Sequence, residues 1–327
     1  MRKSLVTGGA GFIGSHLTEA LLARGDCVTV VDDISTGALE NLAAVIDHPQ
    51  LTLIQGTVED AELVKQVVAG QDHVYHLAAA VGVALIAKQP IETIQRNIQP
   101  TQLILAELRK RHEQGEKVRI FLASTSEVYG KNPKPTWCEE DDLVLGATTR
   151  PRWSYGASKA IDEFLALAYW RQYQLPVVVG RFFNVVGPRQ SGSYGMVLPR
   201  FVEAALAGNS LVVHDDGQQI RCFAHVEDVL RAVLALMESE AATGQVVNIG
   251  SDEPISILGL AELVVAMSGN EVAIDFQSYT DAYDEDFEDI RRRVPDLTRL
   301  RSLIDDPITY DLEAIVRDVI AAHRQES

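Results

Sequence analysis

The stretch Gly8-Gly9-Ala10-Gly11-Phe12-Ile13-Gly14 decides the fold. It follows a short β-branched run, Ser4–Thr7, and opens a stretch of helical apolar spacing, Gly14–Arg24. Gly8, Gly11 and Gly14 form the pattern GxxGxxG. Between a strand and a helix, such glycines permit a tight turn, admit a pyrophosphate close to the backbone and let the helix lie against the sheet. The N–H groups of the helix's first turn then face the anion. Phe12 and Ile13 ride on the same turn and are expected beside the bound dinucleotide. Asp32 ends the next apolar run, Cys27–Val31, 18 residues after Gly14. A carboxylate there binds both ribose hydroxyls and repels a 2′-phosphate, which favours NAD over NADP, and Asp33 strengthens that preference.

The alternation continues outward. Leu51–Ile54, His73–His76, Arg119–Ala123 and Val177–Gly180 read as further strands, and Ala61–Val68, Ile91–His112 and Tyr155–Tyr173 as helices. Strands alternating with helices predict an α/β fold, a doubly wound parallel Rossmann sheet. Beyond about residue 181, Gly and Pro become frequent (Gly187-Pro188, Gly192, Gly195, Pro199) and elements shorter. The expected division is a dinucleotide-binding domain over 1–180 and a smaller α/β substrate domain over 181–327, with no flexible linker between them. The charge run Asp281–Arg293, acidic and then basic, reads in its acidic half as a solvated surface segment.

Bulk composition agrees with a globular enzyme. Of 327 residues 46% are hydrophobic and 23% charged, with a formal net charge of −17. That balance opposes a general role on nucleic acid or an anionic membrane, yet allows a small phosphorylated ligand held by a few arginines. Cys27, Cys138 and Cys222 are too far apart for a metal motif or disulfide framework, and the histidines form no cluster that suggests a metal. No apolar run is long enough to span a bilayer, and Met1-Arg2-Lys3 leads into a strand rather than a signal peptide; the expected location is the cytoplasm.

Tyr155-Gly156-Ala157-Ser158-Lys159 supplies the chemistry. At i and i+4 of a helix, the phenol and the ammonium share one face, and the cation stabilises a phenolate. A phenol titrates near 10, so this help is needed at neutral pH. The pattern alone is common on helix surfaces. Here it is joined by Ser124-Thr125-Ser126-Glu127-Val128-Tyr129-Gly130, which follows the Arg119–Ala123 strand at its carboxyl end, where doubly wound sheets bind ligands.

Taken with His76-Leu77-Ala78-Ala79, Asn97 and the run from Arg181 to Arg189, these motifs resemble the extended short-chain dehydrogenase/reductases that act on nucleotide sugars, nearly end to end. The resemblance implies a tightly held NAD, reduced and reoxidised in each turnover. It implies a catalytic set of Thr125, Tyr155 and Lys159, with Tyr155 taking the C4 hydroxyl proton, and a cofactor site lined by Leu77, Ala78, Ala79 and Asn97. It places Asn184, Arg189 and Arg221 at the substrate diphosphate, and Val197, Leu198 and His214 around the nucleobase. It also implies a homodimer, because in relatives the helices matching Ile91–His112 and Tyr155–Tyr173 form a four-helix bundle between subunits.

Ser126-Glu127 narrows the reaction. In this family sugar 4,6-dehydratases carry an Asp-Glu pair here, the acid protonating a leaving hydroxyl. Ser126-Glu127, Arg152-Trp153-Ser154-Tyr155 and Asp289-Ile290-Arg291-Arg292-Arg293-Val294-Pro295-Asp296 are instead similar to UDP-glucuronate decarboxylases of the UDP-xylose synthase type. The expected reaction is decarboxylation of UDP-glucuronic acid to UDP-xylose or its 4-keto precursor, with Ser126 in the catalytic set and Glu127 and Arg293 managing the carboxylate and the C5 proton. The alternative is a UDP-sugar 4-epimerase acting on glucose or glucuronate.

Overall fold

The computed structural model describes residues 1–80, 90–192, 196–279 and 288–326; Gly195 and residues 281–287 of the charge run lie outside them. Six strands build most of one parallel sheet: β1 (Lys3–Thr7), β2 (Cys27–Asp32), β3 (Leu51–Gln55), β4 (His73–His76), β5 (Arg119–Thr125) and β6 (Val177–Phe182). The strand Gln245–Ile249 joins at the outer side of β6, giving the order (Gln245–Ile249)-β6-β5-β4-β1-β2-β3. Every pairing in it is parallel. Such a sheet is covered on both faces, which is why its strands read as near-continuous apolar runs. Val177 and Val179 of β6 enter one core and Val178 the other, following the period of two.

On one face lie α2 (Ala61–Val68), α3 (Pro90–Glu113) and α4 (Ser154–Tyr173), burying Val64, Leu105 and Ala166. On the other lies α1 (Phe12–Ala23), which starts two residues earlier than its spacing predicts because Gly11 is already the extended N-cap. After β7 (Val185–Val186), α5 (Val197–Leu206), β8 (Leu211–His214), β9 (Ile220–Cys222) and β10 (Ala224–His225), helix α6 (Val226–Glu238) returns to pack beside α1 and leads into β11 (Gln245–Ile249). The segment expected at 181–327 therefore contributes one strand and two helices to the sheet layers, α6 and the short helix over Thr298–Leu303, whose Leu300 is buried in the same core as α1. The elements after β11 are β12 (Pro254–Ser256), α7 (Ile257–Ser268), β13 (Ile274–Gln277), α8 (Thr298–Leu303) and α9 (Leu312–Glu326). Residues of α5, α7 and α9 share a separate apolar core around Leu198, Val264 and Val316. No helix among the described residues is long and apolar enough to cross a membrane.

Strand order reverses between β1 and β4. Ligands of open parallel sheets sit at the carboxyl ends beside such a reversal. A cleft of about 1250 Å³ opens there. It exceeds the roughly 300–1,000 Å³ typical of a single small ligand, so it has room for a dinucleotide and a second nucleotide together.

Candidate active site

The cofactor side begins at the glycine turn. A Cβ on Gly14 would lie 2.0 Å from the Gly8 carbonyl oxygen, and one on Gly8, at φ +72°, would lie 2.9 Å from the Ala78 nitrogen. Only glycine fits, and Leu77–Ala79, leaving β4, stand directly over the turn. Gly11 caps α1 without a side-chain bond, so the first-turn N–H groups face the cleft. Asp32 accepts from the Ala10 N–H and the Ile34 N–H, each at 2.9 Å. Burial raises its pKa against the pull of these donors. A carboxylate has about four acceptor sites, so two bonds to backbone leave capacity for hydroxyls. Asp33 accepts from the backbone and hydroxyl of Ser35, and Arg96 approaches its other oxygen at 3.7 Å. Gly8, Gly11, Phe12, Ile13, Gly14, Asp32, Asp33, Leu77, Ala78 and Ala79 all line the cleft. Asn97 does not: its amide accepts from the Ala80 N–H and donates to the Ser158 hydroxyl, both at 2.9 Å, bracing the wall from behind. The glycine cradle, open helix start and paired acids fit a dinucleotide.

β5 ends at Thr125, and residues 126–129 form one 3₁₀ turn. A Cβ on Gly156 would lie 2.7 Å from the Glu127 carbonyl oxygen, so the first turn of α4 rests on this turn. That contact sets Tyr155 beside Thr125. The Tyr155 phenol is pushed above its ordinary value by burial and by the charges of Glu127 and Asp162, while Thr125 and Arg293 oppose the shift. Lys159 donates to Asp162 at 2.9 Å. Ser126 is buried in the cleft wall.

Glu127 is gripped from two sides. Both terminal nitrogens of Arg152 donate to it, and Arg293 meets it at 2.7 Å. Burial alone would favour the neutral acid, but Arg293 and Arg152 outweigh it and hold Glu127 down to about 2. Arg152 comes from the 3₁₀ turn Pro151–Trp153 that leads into α4. Arg293 arrives through a backbone ladder: Ile220 donates to Arg291 at 2.8 Å, Arg293 donates back to Ile220 at 3.0 Å, and Trp137 donates to Val294 at 2.9 Å. Next to it Arg221 meets both oxygens of Asp289 at 3.1 Å, and Tyr279 donates to Asp289 at 2.7 Å. Burial, then Arg293, pushes the Arg221 guanidinium down to about 10. Three guanidiniums thus face two carboxylates along one wall of the cleft, one positive charge in excess.

Toward the second nucleotide, Asn184 donates to the Cys222 carbonyl at 2.8 Å, and Arg189 is held by Glu19 of α1 at 2.7 Å. His214 stacks on Tyr279 with ring centres 6.1 Å apart. These residues line the cleft with Val197, Leu198 and Arg221. Sequence reading missed Arg152, Asp162 and Asp289 as site residues. The signals were present, since Arg152 lies three positions before Tyr155 and Asp289 opens the run that ends at Asp296.

A dinucleotide cradle at the sheet's reversal point, facing a buried tyrosine–lysine pair, defines a short-chain dehydrogenase/reductase of the extended kind. The chain belongs to the NAD dependent epimerase/dehydratase family, whose model matches residues 4–250. It is 40% identical over 307 residues to the UDP-N-acetyl-alpha-D-glucosaminuronate decarboxylase of Bacillus cytotoxicus, covering 92% of this chain and 91% of that protein. It is 34% identical over 325 residues to UDP-glucuronic acid decarboxylase 1 of Xenopus tropicalis, covering 99% of this chain and 73% of that one. Among solved structures, the UDP-glucuronic acid 4-epimerase of Bacillus cereus with UDP-glucuronic acid and NAD superposes with a TM-score of 0.87 at 27% identity, covering 99% of this chain and 100% of that one.

Proposed function

We propose that this protein is an NAD-dependent decarboxylase of a UDP-linked hexuronate, acting through a 4-keto intermediate. The observation that carries the reading is the excess guanidinium charge beside Tyr155, where Arg152 and Arg293 share the single carboxylate of Glu127. A buried surplus cation favours an anionic ligand, and a hexuronate brings a carboxylate at C6. Two relatives support it, one acting on UDP-N-acetyl-alpha-D-glucosaminuronate and one on UDP-glucuronic acid by their names.

The residues take these roles. Gly8, Gly11, Phe12, Ile13 and Gly14 hold the pyrophosphate of NAD, Asp32 holds the ribose next to Asp33, and Leu77–Ala79 cover the turn. NAD, when bound, would supply the hydride acceptor and donor for C4 and a positive ring charge near Tyr155. Tyr155 removes the C4 hydroxyl proton, helped by Lys159 and by the Thr125 hydroxyl. With C4 a ketone, the C5–C6 bond breaks, its electron pair moves toward the C4 oxygen, and carbon dioxide leaves. Tyr155 and Thr125 stabilise the resulting enolate, and Ser126 lines its pocket. Arg293 holds the substrate carboxylate. Glu127, ionised down to about 2, anchors the two arginines and has no proton to give at C5 near neutral pH, so the enolate takes its C5 proton from water in the cleft before C4 is reduced again. Arg189, Arg221 and Asn184 flank the diphosphate, and Val197, Leu198 and His214 the nucleobase.

The same reading includes a homodimer formed through α3 and α4, which leave Ile91, Ile94, Ile161 and Phe164 exposed, and a cytoplasmic location, which suits three free cysteines. The charge argument is tested by calorimetric titration of the NAD-loaded protein. UDP-glucuronic acid should bind at least about tenfold more tightly than UDP-glucose, since a hydrogen bond to a charged group contributes about 1.5–3 kcal/mol. Equal affinities would remove the observation on which the reading stands.

A further inference from the structure

Tyr155, Lys159 and Asp162 fall at i, i+4 and i+7 of α4, one line along a single helix face. The line ends in a buried ion pair: the Lys159 ammonium donates to Asp162 at 2.9 Å, with side-chain exposures of 3% and 0%. Burying a carboxylate that completely is costly unless a cation answers it. Across from Asp162, α3 presents the Thr101 hydroxyl, which approaches Nε2 of His76 on β4 at 3.3 Å. His76 is neutral, driven down to about 3 by burial and by Lys159. Glu163, the neighbouring acid, faces away and is taken up by Arg181 and Ser124. Lys159 is thus the cation that answers Asp162 among the described residues. An ammonium committed to a carboxylate offers less of its field to the phenol one turn earlier. The other charges acting on Tyr155 are Glu127, which disfavours the phenolate, and Arg293 and Arg152 beyond it.

We propose that Asp162 is a positioning residue that fixes the Lys159 ammonium and tempers its field, setting how readily Tyr155 ionises. The inference rests on Tyr155 being the base of the proposed reaction, but its test uses no substrate. In NAD-loaded protein, tyrosinate absorbance is followed against pH as the difference between each variant and its own Tyr155→Phe counterpart. Asp162→Asn keeps the shape and removes the charge; the Tyr155 midpoint should fall by about one pH unit, the low end of shifts caused by a nearby charge. Asp162→Glu keeps the charge and should return the midpoint to that of the wild type. Should Asp162→Asn fail to fold, Asp162→Ser, small and neutral, serves the same comparison. An unmoved midpoint in a folded neutral variant overturns the proposal. So does loss of folding in both neutral variants with Asp162→Glu intact, which would make the pair purely structural. A shifted midpoint in a protein inert toward every UDP-hexuronate would leave this inference standing and remove the function above.

Discussion

Glu127 shows how neighbours a chain's length away decide what a residue can do. Its partners lie 25 and 166 positions along the sequence, so local pattern flagged the glutamate without revealing that two guanidiniums hold it ionised. Its folded pKa of about 2 lies below the ordinary 4.5. The stabilisation is therefore complete above about pH 4.5 and is lost as pH falls toward 2. Glu127→Gln leaves both arginines buried with no answering charge and should cost about 3 kcal/mol in urea unfolding at pH 7. The difference from wild type should shrink as pH falls through that window; a constant difference would mean that the charge is not what stabilises. That Tyr155 and Lys159 share one helix face was legible because helix period is a local property, whereas Thr125 was singled out by the family resemblance. The contacts of Arg152 and Asp162 were not legible, since they depend on which side chains fold against them, although Arg152 stood in the motif that runs into Tyr155.

At the scale of elements, the β1–turn–α1 unit was the most legible part of the molecule. Its glycines are required by backbone proximity: the Gly8 oxygen stands where a Gly14 side chain would begin. Gly14→Ala must push α1 away from the turn, and NAD binding should weaken by at least about tenfold, measured by cofactor fluorescence titration. Unchanged binding would show that the helix start does not hold the pyrophosphate. The pairing of Gln245–Ile249 with β6 escaped sequence reading because a strand's partner is set by tertiary packing. The 288–296 segment was flagged by its motif, but not its path: its residues carry no periodic signal, and the ladder to Ile220 and Trp137 delivers Arg293 to the cleft.

For the whole molecule, the exposed apolar side chains of α3 and α4 bear on assembly. Phe164 is 68% exposed on a helix whose opposite face is buried. A second copy covering it would give a particle of twice the 35.8 kDa chain mass. Sedimentation should show that mass for the wild type and a shift toward the single-chain mass for Phe164→Glu, since a buried unpaired charge opposes association. A wild type of single-chain mass would end the dimer proposal. The central claim concerns the cleft, where cofactor cradle, Tyr155 and the arginine wall meet. Its most direct test is incubation of the purified protein and NAD with UDP-glucuronic acid and, separately, with UDP-N-acetylglucosaminuronic acid, following products by mass spectrometry and proton NMR. A product lighter by the mass of carbon dioxide from either substrate is the predicted result. An isobaric product inverted at C4 would make the protein a 4-epimerase and contradict the decarboxylase account.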